Sequence, residues 1–232
     1  AAALVLLLYR DAPGVRGPGA RVGPAGLRGL ARDRGLVVAA AWASVFVGLQ
    51  FTVLTYLVLY LVEVGGASAG VAGGYLAVAH VSSVVSRVLW GAASDFLLGA
   101  RRLPTLGALG GVAAAGLAGL GLVAVGVGRA VALPLVLVLG AGVLSWNGLL
   151  NTLVAELAAA GRIGMALGAV NTVTRVSMVA MPPLFGLLVD VSGSYAPGWG
   201  LAAVAALGSS AALLALGREP RRPPAGAVEG GG

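Results

Sequence analysis

The sequence predicts an all-α integral membrane protein whose six transmembrane helices form a 3+3 inverted repeat. Three observations carry this. Hydrophobic residues fill 59% of the 232 positions and charged residues only 10%, at a mean hydropathy of +0.98. An average soluble domain is about a quarter charged, so too few polar groups exist here to face water. Six apolar stretches reach spanning length without the strict alternation of a membrane strand, which leaves helices to satisfy the backbone in lipid. The third observation is a displacement of 95 residues. Gly91-Ala92-Ala93-Ser94-Asp95 closes the second stretch and Gly186-Leu187-Leu188-Val189-Asp190 the fifth, while the first and fourth begin near Val37 and Ala132. Three helices per unit is an odd number, so the two units have opposite orientation.

Taken in order, Ala2–Tyr9 is apolar but too short to cross a bilayer, which needs about 20 residues. It has no polar leader of the signal-peptide kind. Residues 1–9 therefore read as the end of a preceding transmembrane helix, and the chain as a fragment. Residues 10–36, rich in Gly, Pro and Arg, read as a cytoplasmic loop whose arginines either signal topology or touch anionic lipid. The six-helix unit occupies 37–217, with spans at 37–62, 66–90, 105–128, 132–155, 163–189 and 199–216. Residues 218–232 read as a disordered cytoplasmic tail. The 39 glycines, costly in soluble helices, allow close approach in lipid, here at Gly70/Gly74, Gly107/Gly111 and Gly164/Gly168.

Orientation follows from arginine, which supplies all 15 basic residues. Twelve fall on one side of the six spans, Arg129 alone on the other, and Arg87 and Arg175 within spans. Both ends of the segment are expected in the cytoplasm, with the protein integral to the cytoplasmic membrane. The exclusive use of arginine, with abundant Ala, Gly and Val, points to GC-rich coding and a bacterial source. A net charge of +7 suggests nucleic acid in a soluble protein, but here the charges sit in short segments between spans and no nucleic-acid partner is expected.

Polar residues are divided unevenly among the helices. The third span has only Thr105 at its edge and the sixth only Ser209 and Ser210. The other four hold Gln50, Thr52, Thr55 and Tyr56, then His80, Ser82, Ser83 and Ser86, then Ser145, Asn147 and Asn151, and Asn171, Thr174, Arg175 and Ser177. Packing alone does not require this division. A shared polar cavity, with the third helix of each triplet facing lipid, does.

The run Arg87-Val88-Leu89-Trp90-Gly91-Ala92-Ala93-Ser94-Asp95, followed by Gly99, Arg101 and Arg102, resembles the signature loop of the major facilitator superfamily, roughly G-x-x-x-D-R-x-G-R-R. Phe96 stands where a basic residue is usual and Gly99 comes one position late, as in the looser copy of the second half. Thr55–Leu61, Trp146-Asn147-Gly148 leading to Glu156, and Pro182-Pro183-Leu184-Phe185-Gly186 are also similar to the family. The resemblance covers almost the whole chain and implies helices seven to twelve of a twelve-helix transporter, with Ala2–Tyr9 closing helix six. It further implies alternating access, in which this half rocks against a missing six-helix N-terminal half about a bound small-molecule solute. Arg87, Gly91, Asp95, Arg101 and Arg102 carry over as the gating loop. Glycine would permit close packing there, and Asp95 would pair with arginine or a helix terminus in one state only. The other reading of Asp95 is a plain helix cap.

Arg175 is the leading solute contact. It sits about 18 Å into its span at 1.5 Å per residue, near the middle of a roughly 30 Å core. A charge there is expensive and faces a bundle interior or cavity. Gly164, Gly168, Asn171, Arg175, Met178 and Pro182 recur on one face. A guanidinium suits carboxylate or phosphate, which tilts the solute toward an organic anion. The competing reading is a structural arginine bonded to carbonyls or to a carboxylate elsewhere. His80, on one face with Ser83, Arg87 and Gly91, reads as a proton-coupling group or as an interhelical hydrogen bond. Gln50, Asn147 and Asn151 read as cavity donors and acceptors or as interhelical glue. Tyr56 reads as cavity lining, and Tyr60 as an interfacial anchor.

No Asp or Glu lies within the body of a span, so if H+ or another ion is coupled through a buried carboxylate, that group is expected in the missing half. With one histidine, no cysteine, no paired intramembrane carboxylates and no phosphate-binding loop, an enzyme, a metal site and a cofactor are not expected. A non-transporting membrane scaffold, and an efflux pump for hydrophobic compounds within the same family, stand as alternatives.

Overall fold

The computed structural model describes residues 24–124, 131–159 and 161–219, which form helices and no strand. A short α1 (Pro24–Arg32) precedes the spans. The first span is α2 (Arg34–Glu63). The second is α3 (Ala69–Ala92) continued by a π-helical turn at Ala93–Leu97, and the third is α4 (Arg102–Ala124). The fourth is divided into α5 (Ala132–Gly142) and α6 (Asn147–Leu157). The fifth is α7 (Ile163–Ser192) and the sixth α8 (Ala196–Leu216). All six are long and apolar enough to cross a membrane. Residues 1–9, Arg129 and the tail beyond 219 lie outside the described residues.

Local chemistry sets these ends. Asp33 accepts a hydrogen bond from the Leu36 amide at 3.1 Å and starts α2, and Ser68 caps α3 by accepting from Val71. Gly193 closes α7 in the left-handed region at φ 66°, and Pro197 occupies the first turn of α8. In lipid a polar side chain must find a partner. Many find one on their own helix: Thr52 donates to Gly48 O, Thr55 to Phe51 O, and Asn171 to Leu167 O.

Three features depart from the reading of the sequence. Helix α1 lies within the expected loop, because Leu30 packs on the core while Arg28 and Arg32 stay exposed. The Gly91–Asp95 segment is helix rather than loop, with Asp95 inside the π turn. Close helix approach also occurs elsewhere than expected. Space within 4 Å of a side chain at Gly70, Gly74, Gly91, Gly111, Gly164 and Gly168 is open, and of the expected pairs only Gly107 abuts a neighbour, Leu214. The closest backbone-to-backbone approaches between helices are Gly140 against the Ala79 carbonyl and Gly142 against the Ala113 backbone, while side chains crowd Gly48, Gly110, Gly119, Gly186 and Gly198. Most of the open glycines sit on the second and fifth spans, whose faces are the least covered of the six.

The packing is paired. The first span lies on the fifth, the second on the fourth, and the third on the sixth; the first also meets the sixth, as the third meets the fourth. Exchanging first with fourth, second with fifth and third with sixth leaves this pattern unchanged. The core between them holds Trp42, Phe46, Leu57, Leu106, Leu117, Leu139 and Trp199.

Candidate functional site

A polar cavity of about 120 Å3 lies between the first, fourth and fifth spans. Gln50, Trp146, Asn147, Asn151, Asn171 and Arg175 line it, with Met178 beside them. Arg175 is the thirteenth residue of the thirty-residue α7, which places it near mid-span. Its Nη1 approaches only the Met178 thioether, at 3.4 Å. Among the described residues both ion pairs belong to Arg102, so no described carboxylate neutralises Arg175. Asn147 donates to Gln50 Oε1 at 3.3 Å across the cavity wall. The buried Trp146 indole N–H has no hydrogen-bond partner. Guanidinium and amide donors with no described acid beside them suit an acceptor-rich solute.

The wall that carries Trp146 and Asn147 follows the break between α5 and α6. There, side chains of the second span reach the fourth span's carbonyls. Ser82 donates to Leu137 O at 2.7 Å, Arg87 Nη2 to Leu144 O at 3.0 Å, and Trp90 Nε1 to Ala141 O at 2.8 Å.

A second cluster joins four helix ends. Arg102, its side chain 13% exposed, contacts Asp95 at 2.6 Å and Glu156 at 3.2 Å and donates to Ser94 at 2.9 Å. The Glu219 carboxylate accepts from the backbone amides of Arg102 and Leu103 and so caps α4. Asp95 reaches Arg102 because the chain turns sharply through Gly99 and Ala100, both left-handed, at φ 58° and 57°. For alanine that conformation costs about 1 kcal/mol.

The sequence profile of the major facilitator superfamily matches residues 1–182. The chain belongs to the major facilitator superfamily. It is therefore an integral membrane protein of a transporter family. No curated protein matches it significantly. Among solved structures it is similar to a point variant of the Escherichia coli fucose:proton symporter, at a TM-score of 0.67 and 20% identity. The match covers 93% of this chain and 52% of that one, so the chain spans about half the symporter's length.

Within this superfamily fold the expected residues separate into groups. Gln50, Asn147, Asn151, Asn171 and Arg175 share the cavity; Tyr56 and His80 do not line it. Tyr56 instead stacks at a tilt on Phe185, ring centroids 5.0 Å apart, against Gly186. His80 is exposed on the second span. Of the expected gating residues, Asp95 and Arg102 meet, whereas Arg87 binds the fourth span, Gly91 borders open space and the Arg101 residue is exposed. Sequence reading missed Trp146 as cavity lining, although it adjoins Asn147. Glu156 and Glu219 were missed as partners of the Arg102 segment because 54 and 117 residues separate the pairs.

Proposed function

We propose that this chain is the C-terminal half of a secondary transporter that carries a small solute by alternating access, and that the solute is an organic anion. The observation that carries this is Arg175, a mid-span guanidinium lining a polar cavity with no described carboxylate partner. A charge at mid-membrane depth is expensive, and a bound anion offsets that cost. Gln50, Asn147, Asn151 and Asn171 would orient the solute. A cavity of about 120 Å3 is small beside the roughly 300–1,000 Å3 of ordinary ligand sites, which fits a site completed by another six-helix half. The matched packing of the triplets supports the inverted repeat, and the Asp95–Arg102–Glu156 cluster supports a gate at the arginine-rich end, taken as cytoplasmic. Tyr56 and His80 fall out of the solute site, and His80 keeps a role in proton coupling across the second span's open face. Proton coupling, as named for the fucose symporter, remains part of the proposal.

The test is uptake by vesicles containing the full-length protein, with labelled small carboxylates, sugar phosphates and fucose as probes. Uptake of an anionic probe is expected, falling by about 100-fold in Arg175→Ala and less in Arg175→Lys. Uptake of fucose alone, indifferent to Arg175→Ala, would remove the anion while leaving transport standing. One observation favours a second reading, export of hydrophobic compounds. An apolar groove of about 420 Å3, lined by Leu30, Val37, Ala41 and Ala166, shares Val170 with the polar cavity. Dye efflux that survives Arg175→Ala would select that reading.

A further inference from the structure

We infer that Arg87 is a positioning residue: its guanidinium holds open the break in the fourth span and thereby sets the cavity wall at Trp146 and Asn147. Local chemistry loosens the helix here: Gly140, Gly142 and Gly148 flank the break, and the Ser145 hydroxyl donates back to Ala141 O. None of these supplies a donor for Leu144 O, and the helix stops at Gly142 and resumes at Asn147. The amides of Val143 and Leu144 both fold back on Leu139 O, and the next turn restarts with the Leu150 amide on Trp146 O. Among the described residues no backbone amide reaches Leu144 O, and an unsatisfied carbonyl in lipid costs several kcal/mol. Arg87 Nη2 supplies the missing donor at 3.0 Å.

The second span is built to deliver it. Gly140 brings the two backbones together at Ala79, and Ser82 and Trp90 fasten the carbonyls of Leu137 and Ala141 on either side. Arg87 is the charged member of that set, and a charge-assisted bond is roughly twice as strong as a neutral one. Trp146 lies within the interrupted segment and Asn147 is the first residue past it; both line the cavity. Annealing the break into regular helix turns α6 about its axis and carries Asn147 away from Gln50. This inference rests on the proposed cavity only in treating residues 146–151 as its wall, and its test involves no solute.

The full-length protein is placed in lipid nanodiscs and its amide hydrogen exchange is followed in peptides covering 141–151 and in the other five of these six spans. In Arg87→Ala, exchange at 143–148 is expected to change by roughly ten- to a hundred-fold, the equilibrium equivalent of one lost charged hydrogen bond. Amides of α7 should stay as they are, and Arg87→Lys should fall between. These 232 residues hold no cysteine, so Asn151→Cys in a background without thiols elsewhere provides a single site whose labelling rate by a charged methanethiosulfonate should shift in parallel. Unchanged exchange and labelling in Arg87→Ala overturn the inference, as does equal acceleration in all six spans. If Arg87→Ala does not fold, Arg87→Lys decides: a selective change at 143–148 supports the clamp, and an unchanged pattern overturns it.

Discussion

The two ends of the helix bundle solve one problem, tying helix termini together, with different chemistry. At one end Arg102 gathers Ser94, Asp95 and Glu156 while Glu219 caps its helix. At the other, Tyr60, Phe185, Tyr195 and Trp199 form an aromatic cluster, with Phe185 and Trp199 centroids 4.5 Å apart. Asp95 and Glu156 are 51% and 36% exposed at the side chain, so water and salt compete for Arg102. Trp199 is fully buried. The contrast teaches where each end is suited to move: ion pairs near water exchange partners at small net cost, whereas a packed aromatic cluster loses its contacts outright when parted.

The largest expected effect breaks the aromatic end. Trp199→Ala should destabilise by about 3–5 kcal/mol, the usual result of emptying a buried tryptophan site, and thermal unfolding in detergent would read it. An unaltered midpoint would show that the aromatic cluster is not a fixed point. Next comes Arg102→Ala, which removes the partner of two water-exposed carboxylates and should cost about 1–2 kcal/mol in all, at most about 1 for each pair. The gap between this variant and the wild type should narrow in high salt; the same comparison for Trp199→Ala should not.

A smaller change sharpens the comparison within the aromatic end, which keeps one polar tie. Tyr195 donates to Glu63 at 2.7 Å. Tyr195→Phe keeps the ring and should cost about 1 kcal/mol. Burial, and then the Glu63 carboxylate, raise the Tyr195 phenol above its ordinary value. A raised native value means that the tie is fully present below the unfolded pKa of about 10 and fades as pH climbs through the native one. Stability of the pair measured from pH 6 to 9 should therefore differ by a constant amount as far as this phenol is concerned. The smallest effect, about 0.3–1 kcal/mol, belongs to Glu219→Gln, which removes a charge from the α4 terminus but leaves an acceptor. Faster amide exchange confined to residues 102–105 would register it.

The spans were legible because apolar runs near twenty residues long admit one solution in lipid. The cavity residues on α7 were legible too, since Asn171, Arg175 and Met178 share a face by helical spacing alone. Helix α1 was hidden by its Gly, Pro and Arg content; its order comes from packing Leu30 on the core. The break at 143–146 was half legible: Gly140, Gly142 and Ser145 loosen the helix, but the donor to Leu144 O lies 57 residues away on Arg87. Tyr56 and His80 show the limit of counting polar residues along a span. Which way a side chain faces depends on neighbours, and Tyr56 is drawn to Phe185 rather than to the cavity.

The Glu219 cap has a consequence for the order of synthesis. Helix α4 is made and enters the membrane with its first amides unpaired, and their acceptor is translated 117 residues later. Until the sixth span has followed it, the loop that presents Arg102 has only its side-chain partners to hold it. The clasp at this end closes only after the sixth span has been made, and a reporter inserted between Leu216 and Glu219 would carry the acceptor away from α4.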